Sequence, residues 1–64
     1  MNINIGDLVT LKGLSQVNEK PIGLVKATVG PMQLKIIWLN VNVAKRYALK
    51  HIVKTKKLEV VSEA

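Results

Sequence analysis

A chain of 64 residues makes one domain, 1–64, near the lower size limit for folding alone. With no cysteine, and only four acids and one histidine, it has no disulfide or thiolate metal site to staple it and is poorly supplied for a carboxylate–histidine one, so its 48% apolar residues must pack a core or be buried against another chain. The net charge of +6 is lopsided, +1 over residues 1–32 and +5 over 33–64, which points to an anionic partner: nucleic acid, an acidic protein face or another anionic surface.

In chain order, Gly6-Asp7 reads as a turn, with Asp7 hydrogen-bonding nearby backbone, and it feeds a short strand over Leu8 to Leu11. Gly13 to Pro21 is polar and reads as a loop. A second strand runs from Ile22 to Val29, with Val25, Ala27 and Val29 on one face and Leu24, Lys26 and Thr28 on the other. Gly23 has core-facing parity, where a missing side chain allows close approach of another backbone. Gly30-Pro31 is a turn signal, and a third strand covers Gln33 to Leu39. Leu34, Ile36 and Trp38 face the core; Lys35, Ile37 and Leu39 face away.

Residues 41–50 admit two readings. One parity gives Val41, Val43, Lys45, Tyr47 and Leu49, a fair strand flawed by Lys45. The competitor is a short helix capped by Asn42, with Ala44, Ala48 and Ile52 at helical spacing. The alternation favours the strand. His51 to Lys57 reads as a connecting turn, with a single helical turn as the alternative, and Leu58 to Val61 as a last short strand. Short strands with turn signals about every ten residues predict a mainly β fold, a small antiparallel barrel whose closure removes exposed edges.

Ile5-Gly6-Asp7-Leu8-Val9, Ile22-Gly23-Leu24-Val25, Ile36-Ile37-Trp38 and Leu58-Glu59-Val60-Val61 together resemble the Src-homology-3-like small barrels, particularly the KOW and Tudor-like group. Small proteins of tailed bacteriophages often have this appearance. The resemblance covers most of the chain and implies a five-stranded antiparallel barrel. Such barrels bind RNA or protein in transcription and translation, or serve as small structural subunits of larger particles. The segment from Asn40 to Lys57 is longer and more basic than the usual connection there, an insertion, helical in the competing reading, before the last strand.

The candidate sites follow from charge and parity. Lys45, Arg46, Lys50, Lys54, Lys56 and Lys57 form an acid-free basic run, a candidate contact for RNA, DNA or an acidic protein face. Leu24, Ile37 and Leu39 point away from the core and make a candidate protein contact, for another protein or for further copies of the chain, unless the 40–57 segment folds over them. Only Trp38 and Tyr47 are aromatic, Trp38 being read as core and Tyr47 as half-buried with its hydroxyl at a polar edge. A base-stacking platform, a methyl-lysine cage and a proline-peptide groove all need more rings.

Lone His51 has no carboxylate near it in sequence, Ser15 and Ser62 lack a base, and no glycine-rich phosphate loop is present. The expectation is therefore no enzyme, no cofactor, no metal and no small-molecule substrate. The longest apolar run, Ile36 to Leu39, is four residues, against the roughly 20 that span a bilayer. Met1 to Asn4 does not resemble a signal peptide. The expected setting is intracellular, in a host cytoplasm, or a virion, without membrane contact. In so small a chain the two ends are expected to be held by the fold or by a partner.

Overall fold

The computed structural model describes residues 3–14 and 16–64; Met1, Asn2 and Ser15, and the expectations that touch them, lie outside the described residues. The elements in order are β1 (Leu8–Leu11), β2 (Gly23–Gly30), β3 (Gln33–Trp38), α1 (Val41–Arg46), β4 (Ile52–Lys54), a 3-10 turn (Thr55–Lys57) and β5 (Leu58–Ser62). They form one antiparallel sheet in the order β4-β3-β2-β1-β5. The fold is mainly β, as the residue pattern predicts. The sheet is open rather than closed: β4 and β5 are its two edges, joined by the 3-10 turn and not by a ladder.

The core lies on one face of the curled sheet. Val9, Val25, Leu34, Ile36, Trp38, Val53 and Leu58 are buried there, and Ala44 reaches in from α1. The strict alternation of β3 carries through, with Leu34, Ile36 and Trp38 buried and Lys35 and Ile37 exposed. Gly23 pairs with both Val9 and Trp38, so the indole lies against bare β2 backbone. A Cβ at Gly23 would meet Ile36 Cγ2 and come within 2.9 Å of Trp38 Cε3. The Trp38 indole N–H donates to Lys50 O at 3.0 Å, which fixes the ring and the chain that follows α1.

Two parts of the structure depart from the sequence reading. In β2 the register against β3 slips between Val25 and Ala27 and again between Thr28 and Gly30. Each extra residue shifts the alternation by one. Ala27 consequently sits opposite solvent-facing Lys35, and Val29, expected on the core face, is 51% exposed.

Residues 41–46 are helix, not the strand the alternation favours. The strand would have pushed Lys45 toward the core. The helix buries Val43 and Ala44 and leaves Lys45 and Arg46 in its last turn, where cations complement the helix dipole. The helix is capped at Asn40 rather than at Asn42. The Asn40 side chain is turned elsewhere, accepting from Ile22 N–H at 2.9 Å and donating to Lys20 O at 2.8 Å, which pins the start of α1 to the approach to β2. The helix ends in a Schellman motif: Ala48 N–H donates to Lys45 O and Leu49 N–H to Ala44 O, each at 3.0 Å. Ala48 stands at the left-handed position with φ 54°. The expected connecting turn over 51–57 resolves into the three-residue strand β4, which buries Val53, followed by the single 3-10 turn.

Asp7 ties the remaining pieces together. Its buried carboxylate accepts from Asn4 N–H at 2.8 Å and from Ala64 N–H at 2.9 Å, partners near the two ends of the chain. These N–H donors, Asn4 first and then Ala64, hold its pKa below the ordinary 3.8 because they favour the charged form.

Candidate functional site

The six basic residues of the 45–57 run are all exposed, but the fold distributes them. Arg46 leaves the group: its guanidinium reaches Glu19 at 2.8 Å, an ion pair more than half exposed on both sides and so worth little stability. Lys45 lines a groove beside α1. Lys50, Lys54 and Lys57 converge on one shallow depression of about 430 Å³, together with Gln33 and Tyr47. Lys54 and Lys56 flank a smaller hollow of about 300 Å³ beside Met32. No carboxylate lines either.

Lys54 lies on β4 and Lys56 and Lys57 in the turn that joins it to β5, while Glu59 lies on β5 with Glu63 just beyond it. The other two acids are engaged, Asp7 with backbone N–H groups and Glu19 with Arg46.

The apolar candidates lie on the face of the sheet opposite the core. Leu24 and Ile37 are paired directly across β2 and β3, and Leu8 pairs with Leu24 from the other side. They form a row over three strands. Leu8 and Leu24 are half-buried, whereas Ile37 is 42% and Leu39 54% exposed. Leu39 lies just past the end of β3, with its N–H donating to Ile22 O at 2.8 Å. The 40–57 segment leaves Ile37 and Leu39 exposed; exposed Val41 lines a groove with Ile37, and exposed Ile52 pairs with Lys35 on β3.

Between α1 and β3 runs a groove of about 630 Å³, walled by Ile37, Trp38, Val41, Ala44 and Leu49, with the Lys45 cation and the His51 ring beside it. Sequence reading does not find this groove, because it forms only when residues 41–46 are helical. The helical spacing of Ala44, Ala48 and Ile52 was the available signal. Tyr47 is 38% exposed, and its hydroxyl has no hydrogen-bond partner among the described residues. His51 is exposed, its Nδ1 3.4 Å from Ile36 O.

Among the described residues no group of three or more histidines and carboxylates is placed to hold a metal ion. No helix is long and apolar enough to cross a membrane. No protein-family model matches the chain, and neither a curated protein nor a solved structure does.

Proposed function

We propose that this chain is a non-catalytic interaction module, a small structural or adaptor subunit of a larger assembly of the kind found in phage particles, working in a host cytoplasm or virion. It meets a partner protein through Leu24, Ile37 and Leu39 and an anionic surface through its lysine-rich side. The observation that carries this reading is the apolar row from Leu8 through Leu24 to Ile37, running into exposed Leu39 and Val41 with its outer end left open among the described residues. Large apolar side chains grouped on a small charged surface mark contact sites. The strand order, with one helical turn joining the two edge strands, supports the Src-homology-3-like reading of the sheet.

The test is stability and association. The isolated chain should self-associate, or melt at a modest temperature and gain stability when its partner is added. Ile37→Ser combined with Leu39→Ser should abolish that gain while leaving the fold intact, since both side chains are exposed. A monomer that melts well above mesophilic temperatures and gains nothing from any co-purifying protein would overturn the reading.

A second reading, phosphate-dominated binding of RNA or DNA in the manner of KOW domains, is favoured by the convergence of Lys50, Lys54 and Lys57 on one acid-free depression. It predicts salt-sensitive binding, with a log–log slope of about 0.9 per phosphate neutralised. Changing Lys54, Lys56 and Lys57 to Gln should flatten that slope. An unshifted labelled duplex at low salt would remove this reading.

A further inference from the structure

We propose that the groove between α1 and β3 docks a short acidic segment of a partner protein, its apolar side chains seated on Ile37, Val41 and Leu49 and its carboxylates meeting Lys45 and His51. The inference rests on the adaptor reading and names the partner's chemistry.

The groove is apolar along its floor and cationic at its rim. Ile37 and Val41 are 42% and 54% exposed, so they are free to be covered, and half-buried Leu49 continues the apolar wall down to the core. The indole N–H of Trp38 is already donated to Lys50 O, so the ring offers the groove an apolar edge rather than a donor. The donors left are the side chains of Lys45 and His51. No carboxylate lines the groove, and Glu19 is paired with Arg46. A ligand that satisfies both features carries apolar anchors beside negative charge. A nucleic-acid backbone supplies the charge without the anchors, and a neutral peptide the anchors without the charge.

The backbone gives a second pointer. Ala48, which lines this groove and also the lysine depression on its far side, holds φ 54° without being glycine. That conformation belongs to the Schellman end of α1. Here it forms the ridge between the apolar groove and Lys50, Lys54 and Lys57, so a bound acidic segment that overhangs the ridge meets a further bank of cations.

The test uses a displayed library of random linear peptides panned on the folded full chain and counter-panned on Val41→Asp. That variant introduces a carboxylate into the groove at the first helical position, where an acid favours the helix, so it should melt like the parent. Enriched peptides should combine Asp or Glu with bulky apolar residues and shift the amide resonances of Val41, Ala44, Lys45 and Leu49. Val41→Asp should weaken them about tenfold. Lys45→Glu should weaken them about threefold at low salt, less as salt rises. Lys26→Glu, the same charge change on exposed β2 outside the groove, should leave affinity within about twofold.

Equal losses from Lys26→Glu and Lys45→Glu, enrichment of basic peptides, or a duplex RNA that shifts the same groove resonances would overturn the proposal. Self-association lost in Lys45→Glu would place a second copy there and overturn it as well. Peptides that shift Leu24 and Leu39 but not Ala44 and Leu49 would sink the groove while sparing the adaptor reading. No enrichment on any face would sink both.

Discussion

Ala48 stands at the C′ position of α1 with φ 54°, in the left-handed region where a Cβ crowds the following carbonyl. For an L-residue that conformation costs about 1–2 kcal/mol. Glycine escapes it but gives back about 0.5–1 kcal/mol through the extra freedom of its unfolded chain. The Ala48 side chain is exposed, so deleting one methyl sacrifices little packing. Both Schellman hydrogen bonds, Ala48 N–H to Lys45 O and Leu49 N–H to Ala44 O, are backbone bonds that glycine keeps. The balance for Ala48→Gly is a gain of about 0.5–1 kcal/mol, which in a domain of this size raises Tm by about 3–6 °C. Urea unfolding followed by the fluorescence of Trp38, the single tryptophan, measures it as a shift in midpoint at constant slope. Ala48→Val, β-branched at the same φ, should lose more than about 1 kcal/mol. Ala44→Gly, in the buried body of the helix, should lose at least about 1 kcal/mol. If Ala48→Gly proves neutral or destabilising while Ala44→Gly behaves as expected, the Schellman account of this helix end is wrong.

Three further outcomes follow from packing and titration. The Thr10 hydroxyl is buried with no hydrogen-bond partner among the described residues, so Thr10→Val should stabilise by about 1 kcal/mol, read as a higher denaturation midpoint. Gly23→Ala would drive a Cβ into Ile36 and the Trp38 ring and should cost about 1–3 kcal/mol, with a perturbed near-ultraviolet signal from the displaced indole. Asp7 has its pKa depressed in the folded state, so its contribution is full above its unfolded value and is lost as pH falls through the lower folded one. Stability should fall below about pH 4, and Asp7→Asn should be weaker at neutral pH yet lack that part of the acid slope, as urea midpoints at several pH values would report.

The strands that alternate cleanly were legible from residues alone. Leu34, Ile36 and Trp38 announce β3, and β1 falls on the residues its composition indicates. Gly23 also reads correctly, because its parity places it under the core. The 41–46 helix does not. Six residues hold too few hydrogen bonds to be stable alone, so tertiary contacts decide, here the burial of Val43 and Ala44 and the exclusion of Lys45 from the core. The slips in β2 were equally hidden, since a bulge inserts no characteristic residue at Lys26 and yet reverses the faces that follow until the second slip. The basic run was visible as a run but not as a surface. Arg46 is drawn off by a glutamate 27 positions earlier, and the helix places Lys45 on the far side of a ridge from Lys50, Lys54 and Lys57.

The pairing of β1 with β5 imposes an order on how this chain can fold. β2, β3 and β4 each meet a neighbour brought close by the chain's own turns, so the sheet can grow from β1 through β4 as synthesis proceeds. The other edge of β1 has to wait for the last strand, and the Asp7 carboxylate for a donor 57 positions away. Until then Val9 and Leu11 lack Val60 and Leu58, their partners on the neighbouring strand. The late, entropically costly closure of so long a loop makes folding slow for so small a protein. It also leaves a nascent chain with an open, apolar strand edge, the form in which it is most prone to pair with another copy of itself.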